Sequence, residues 1–303
     1  MAEEPSALRY TARRIARHVR WARREGLRRL IAEDRLDPVD RVRTAWTKHR
    51  WRARHGVAAG EARPVYLVGL QRSGTNMLVR GLDAAPEVEA RNENDSVLFR
   101  RFRLRGDDVL LDVLGRSRHR IVLVKPICDS HRITDLLALT SGSRALWMWR
   151  DVDDRARSEV AKFGDANLRA LRAIAAGDTG IWQAGGLSPA SVELISSFDL
   201  EAMDPHTGAA LFWYVRNELY FALGLHRRAD VLLVSYGVLL EDPAATAREV
   251  CAFIGLPFRP SFVAEVTAAP SRDPLPIDPR VRELCSSLTA RLLSAGAVAG
   301  SRG

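Results

Sequence analysis

Cysteine is scarce in this sequence, and lysine is unusually scarce for so basic a chain. Of 303 residues, three are cysteines (Cys128, Cys251 and Cys285), and of 46 basic residues only Lys48, Lys125 and Lys162 are lysines. An odd, widely scattered set of cysteines builds neither a disulfide framework nor a zinc site, so a reducing, cytoplasmic compartment is expected. Clusters of metal-ligating residues are also missing, and no metal is expected. Apolar runs such as Ala209–Val215 fall far short of the roughly 20 residues needed to span a bilayer. The first residues carry no apolar segment behind a basic leader, so a secretory signal is not expected either. Internal repeats are absent.

The charge is unevenly placed. Residues 1–56 hold 16 Lys and Arg against 7 Asp and Glu, whereas residues 57–303 balance at 30 against 30. A uniformly basic body would suggest a nucleic-acid partner. A basic arm on a neutral body does not, and no specific nucleic acid is expected. Within the arm, Leu8, Ala12, Ile15, Val19, Ala22 and Leu30 follow helical spacing with arginines between them, which predicts an amphipathic helix over 7–33. Such a helix either packs on the body with a solvated basic face or meets an anionic surface, whether an inner membrane or a charged substrate.

From Arg63 the texture becomes that of an α/β fold. Short apolar runs at Pro64–Leu70, Ile121–Val124, Ala145–Trp149 and Val231–Ser235 read as buried strands. Helices are predicted at Thr75 to about Ala84, Ser130–Leu139, Asp151–Phe163, Thr207–Leu223 and Pro243–Ile254. This alternation implies a mostly parallel central sheet flanked by helices in three layers. Residues 165–205, rich in small and polar residues, suggest an irregular insertion that serves as a lid or acceptor-binding segment. The tail beyond about Ala290 is expected to fray.

The most informative segment is Gly69–Leu78, GLQRSGTNML, between the first strand and the first helix of the body. Backbone N–H groups in such a turn, with the helix N-terminus behind them, favour an anion. Gly69 and Gly74 have P-loop spacing, but Thr75 stands where a nucleoside triphosphate loop requires Lys. The third strand also ends in Arg150 rather than in an acid for magnesium. Arg72, Ser73, Thr75 and Asn76 add side-chain donors suited to a single phosphate.

These residues resemble the 5′-phosphosulfate loop of sulfotransferases that use 3′-phosphoadenosine 5′-phosphosulfate (PAPS), most closely the PRSGTT form of the tyrosylprotein and related bacterial enzymes. A second likeness is Arg150-Asp151-Val152-Asp153-Asp154-Arg155-Ala156-Arg157-Ser158, similar to the family's R-[DN]-P-x-D-x-x-x-S, which holds the 3′-phosphate through Arg150 and Ser158. Val152 replaces the usual Pro. A third is Ser235–Pro243, which resembles Y-E-D-L-x-x-D-P and would set Tyr236 near the adenine, with Gly237 in place of the acid. The resemblance covers about residues 64–260 and implies a P-loop-like fold, a sulfotransferase domain over 57–303, PAPS as donor and a hydroxyl-bearing acceptor.

The resemblance also implies roles. Lys125, ending its strand at the ligand crevice, and Arg72 are assigned to the sulfonate and the bridging oxygen. Glu93, in RNENDS, falls where the tyrosylprotein-like enzymes carry their base. His131 is the alternative, since cytosolic enzymes use a His near the Lys. A loop acid without a catalytic part is the plainer reading of Glu93, and a core tyrosine that of Tyr236. Trp182, Trp213 and Tyr214 could stack on an acceptor, though core packing is expected for at least two. Two other functions compete: a P-loop kinase or other nucleotide-binding protein, which the missing Lys argues against, and a non-catalytic binder that keeps the pocket.

Overall fold

The structure is a computed structural model that describes residues 38–267 and 273–300. The chain falls into two units, residues 1–54 and 55–303. The predicted helix over 7–33 lies outside the described residues. The first unit contributes helix α1 (Pro38–His55), in which Val42 and Trp46 are exposed and the Arg50 guanidinium lies 4.5 Å from the Trp46 ring centre.

The second unit runs through β1 (Arg63–Gly69), α2 (Thr75–Asp83), β2 (Val88–Arg91) and a short hairpin, β3 (Phe99–Arg100) and β4 (Arg103–Leu104). It continues through α3 (Asp107–Arg116), β5 (Ile121–Val124), a 3₁₀ turn at Ile127–Arg132, α4 (Ile133–Ala138) and β6 (Arg144–Trp149). Then come α5 (Val152–Phe163), α6 (Ala166–Ala175), α7 (Pro189–Ser196), α8 (Pro205–Ala222), β7 (Val231–Ser235), α9 (Tyr236–Glu241), α10 (Pro243–Ile254) and α11 (Pro279–Gly300).

The main sheet has the order β2-β5-β1-β6-β7 with every pairing parallel. Its strands are continuous apolar runs because both faces are covered. Tyr66, Val68, Val122, Val124 and Trp147 point into a core shared with α3, α4, α6, α8 and α11. Val65, Leu67, Ile121, Leu123, Leu146 and Met148 point into a second core against α2 and α10. This is the three-layer α/β arrangement expected. The chain moves from β1 to one side through β2 and β5, then to the other through β6 and β7, so the crevice at the C-terminal end of β1 is the topological switch point.

Two expectations are corrected. Residues 165–205 are not irregular: α6 and α7 occupy much of the segment, and Leu168, Leu171, Ile174 and Ile195 are buried in the first core. Small polar residues between these helices mask their period in the sequence. The tail does not fray at 290 either, since α11 reaches Gly300 and Cys285, Leu288 and Leu292 are fully buried. The predicted helix from Ser130 begins as a 3₁₀ turn, and its α-helical part starts at Ile133.

Candidate active site

The loop after β1 is held open by backbone geometry that few residues tolerate. Gly69 and Gly74 have φ of 122° and 87°, and Arg72 takes φ of 69° without being glycine. A side chain on Gly69 would strike the Met148 carbonyl, and one on Gly74 the Tyr236 ring. A non-glycine residue in the left-handed region costs roughly 1–2 kcal/mol and persists only where its surroundings hold it.

Those surroundings are visible. Arg72 Nε donates to Ser158 Oγ at 2.9 Å, joining the loop to α5. Arg150 Nη1 approaches the Arg72 carbonyl at 3.4 Å. The Arg150 guanidinium lies 4.7 Å from the Tyr236 ring centre and pairs with Asp154 at 3.3 Å. Arg150 thus forms an ion pair and also reaches the loop. Its own carbonyl accepts from Trp213 Nε1 at 2.8 Å, so the fully buried Trp213 serves as a core strut. Tyr236 opens α9 beside Gly74. Tyr236 thus touches the loop and Arg150, and Arg72 ties Ser158 to the same cradle.

The cradle has unmet polar capacity of the kind an anion would satisfy. Ser73 Oγ and Arg150 Nε are buried and have no hydrogen-bond partner among the described residues. Thr75 is buried as the first residue of α2, and no acid stands in the first turn of that helix. Both features favour negative charge at the helix N-terminus. Among the described residues no group of three or more His, Cys, Asp or Glu could hold a metal ion.

Beside the cradle the structure brings Glu93 and Lys125 together. Lys125, just past the end of β5, has Nζ 2.6 Å from Glu93 Oε2 and 2.6 Å from Asn76 Oδ1. The two charged side chains are 8% and 14% exposed, enough enclosure to strengthen their attraction. Asn76 Oδ1 accepts from Lys125, which leaves the donating Nδ2 of the same amide for another partner. Behind them, Cys128 Sγ accepts from Gln71 Nε2 at 3.6 Å, and burial pushes its thiol far up, leaving it protonated.

His131 is elsewhere in the crevice. Its Nδ1 is buried without a hydrogen-bond partner among the described residues, and its ring packs where Gly185 and Gly186 leave no room for a side chain. Burial, aided by Arg216 and Arg103, depresses it to about 4. Among the described residues no hydrogen bond joins it to Glu93 or Lys125. Trp182 meets Phe212 edge-on and lies under Arg216, while Tyr214 is partly buried against the core.

Sequence reasoning missed Arg216 and Arg155. Each is almost fully buried on a helix, and they bond the backbone carbonyls of Gln71 (Arg155) and Gly185 (Arg216). Nothing in their local sequence separates them from the many surface arginines.

Residues 62–272 match the family model described as Sulfotransferase domain. Among solved structures, a sulfotransferase from Alicyclobacillus acidocaldarius is 18% identical, with a TM-score of 0.42 over 78% of this chain and 95% of its own. The sulfotransferase domain from the curacin biosynthetic pathway is 12% identical, with a TM-score of 0.44 over 75% and 98%. A mouse sulfotransferase complexed with PAP is 11% identical, with a TM-score of 0.39 over 79% and 87%. Curated proteins gave no match.

Proposed function

The chain belongs to the PAPS-dependent sulfotransferase family, and from that premise we propose that it sulfates the hydroxyl of a carbohydrate, a lipid-linked sugar or a small metabolite, with Glu93 as the base. The contact of Lys125 with Glu93 and Asn76 carries this reading, because it sets an acid and a cation side by side at the mouth of the phosphate loop.

The roles follow from the chemistry. Sulfuryl transfer needs the acceptor deprotonated, the sulfonate steadied and the leaving phosphate stabilised. Glu93 takes the hydroxyl proton as the acceptor oxygen bonds to sulfur. Lys125 and Arg72 hold the sulfonate and the oxygen bridging sulfur to the 5′-phosphate, which leaves with the electron pair of the broken S–O bond. Ser73, Gly74, Thr75 and Asn76 frame the 5′-phosphate, Arg150 and Ser158 take the 3′-phosphate, and Tyr236 lies at the adenine. Lys125 is released from Glu93 as it turns to the donor. The depressed basicity of His131 speaks against it as the base.

The basic arm, residues 1–56, is proposed to meet an anionic inner membrane surface or an anionic acceptor. Exposed Val42 and Trp46 beside Arg43 and Arg50 support this reading. The segment over 165–205, though helical, is proposed to border the acceptor through the turn at Gly185–Gly186.

A transfer screen with labelled PAPS over sugars, lipid-linked sugars, small alcohols and tyrosyl peptides, with product masses measured, tests the acceptor class. Label appearing only on a tyrosyl peptide would overturn the assignment.

A further inference from the structure

Helices α5, α6 and α8 meet around buried charge. Arg155 is 0% exposed, Glu159 4% and Asn167 6%. Arg155 Nη1 donates to Asn167 Oδ1 at 2.6 Å and to the Ala209 carbonyl at 3.1 Å, and Nη2 lies 3.3 Å from Glu159 Oε2. Asn167 Nδ2 donates to Glu159 Oε1 at 3.1 Å, which closes the cluster. A buried ion pair is often no more stabilising than apolar residues of the same volume. Helix packing alone therefore gives no reason for charge here.

One further bond reaches beyond the three helices. Arg155 Nε donates to the carbonyl of Gln71, in the phosphate loop, at 3.2 Å. An anion-binding loop works only if its N–H groups turn inward and its carbonyls outward. Four of the loop carbonyls have donors of their own. The Gly69 oxygen accepts from Ser130 Oγ at 3.0 Å, and the Arg72 oxygen from Arg150. The Gly74 oxygen accepts from the Met77 and Leu78 N–H groups. The Gln71 oxygen belongs to Arg155. The Gln71–Arg72 peptide is also where the chain enters the strained left-handed turn at Arg72. Without a donor behind it, that peptide could rotate, aim its carbonyl at the anion and swing the Arg72 side chain away from Ser158.

We infer that Arg155 is a positioning residue of the donor site, fixing the Gln71–Arg72 peptide so that the loop N–H groups and Arg72 face the 5′ end of the donor. The inference rests on the sulfotransferase reading. Arg155 does not itself touch the donor, and its effect falls mainly on the 5′ side: Arg150 and Ser158, proposed for the 3′-phosphate, meet this peptide only through Arg72.

The test uses Arg155→Met and Arg155→Lys in the full chain, with calorimetric binding of PAP and of adenosine 3′-monophosphate, which lacks the 5′-phosphate. Loss of one charge-assisted hydrogen bond should weaken PAP binding about tenfold or more in Arg155→Met. Adenosine 3′-monophosphate should lose far less affinity in each variant than PAP does. Arg155→Lys keeps the charge but lacks the fork that reaches Gln71, Asn167 and Ala209 together, so it should fall between. A folded variant that binds PAP with unaltered affinity would overturn the inference, as would equal losses for both ligands, which mark a purely structural role. If Arg155→Met does not fold, Arg155→Lys decides by the same comparison. Failure of the unaltered protein to bind PAP would instead count against the donor reading beneath it.

Discussion

The ammonium of Lys125 lies 2.6 Å from the carboxylate of Glu93, so the proposed base and the proposed sulfonate ligand begin as an ion pair. For Glu93 to take the acceptor proton as proposed, Lys125 has to turn from it to the donor. In the proposed mechanism donor binding supplies that turn, since a phosphosulfate carries more negative charge than one carboxylate. Glu93→Gln should therefore leave PAP affinity close to that of the unaltered protein while lowering turnover by about 10²- to 10⁴-fold, the usual contribution of a positioned base. Calorimetry with PAP and single-turnover transfer from labelled PAPS check the two halves separately. Full turnover in this variant would move the base to His131.

The Arg150 guanidinium has three engagements in the structure: the Asp154 carboxylate, the Tyr236 ring and the Arg72 carbonyl. A 3′-phosphate would compete with Asp154 for the guanidinium and prevail on charge. Arg150→Ala should weaken PAP binding about 100-fold, the scale of a lost charged contact. Binding of adenosine 5′-monophosphate, which has no 3′-phosphate, should change far less. Equal losses for both nucleotides would show that Arg150 supports the loop rather than the 3′-phosphate.

The extent to which this molecule is legible from its sequence follows burial. The four strands that cross the middle of the sheet or close its β7 edge are apolar on both faces, so each stands out as a continuous run. The other edge strand, Val88–Arg91, is half polar because only part of it is covered, and nothing in its four residues marks it. Helices α6 and α7 were hidden by small residues and polar linkers, although Leu168, Leu171 and Ile174 do follow helical spacing once the ends are known. The strand–loop–helix turn at Gly69–Thr75 is legible because its glycine spacing is local. The Lys125–Glu93 contact was not local: 32 residues separate the partners, and only the β2–β5 pairing explains why they meet. Arg155 marks the limit, since an arginine on a helix looks solvated until three helices are seen to close around it.

Gly74→Ala tests the loop geometry without touching a charge. The backbone there has φ of 87°, and a methyl group would collide with the Tyr236 ring. The left-handed conformation alone costs roughly 1–2 kcal/mol for an L-residue. The collision adds to this and pushes Tyr236 from its place under Arg150. The variant should melt several degrees lower and lose most PAP affinity, as seen by thermal unfolding with and without PAP. Pairing it with Tyr236→Ala, which removes the ring, should recover part of the stability but not the affinity. Restored affinity in the pair would show that Tyr236 has no part in holding the nucleotide.

His131 gives a prediction in pH. Burial first, then the positive field of Arg216 and Arg103, depresses it from 6.5 to about 4 in the folded protein. The unfolded chain takes up this proton as pH falls through about 6.5, whereas the folded chain resists until about 4. Between these values the unfolded state binds more protons, so this residue lowers stability as the solution is acidified and is without effect at neutral pH. His131→Asn, which cannot take the proton, should unfold in urea with a shallower loss of stability between about pH 6.5 and 4.5 than the unaltered protein. Identical slopes would mean that His131 is freely protonated in the fold. The same variant should keep PAP binding and turnover at neutral pH, because the proposed mechanism sends the proton of the acceptor to Glu93. Turnover lost with PAP binding intact would transfer that role to the imidazole.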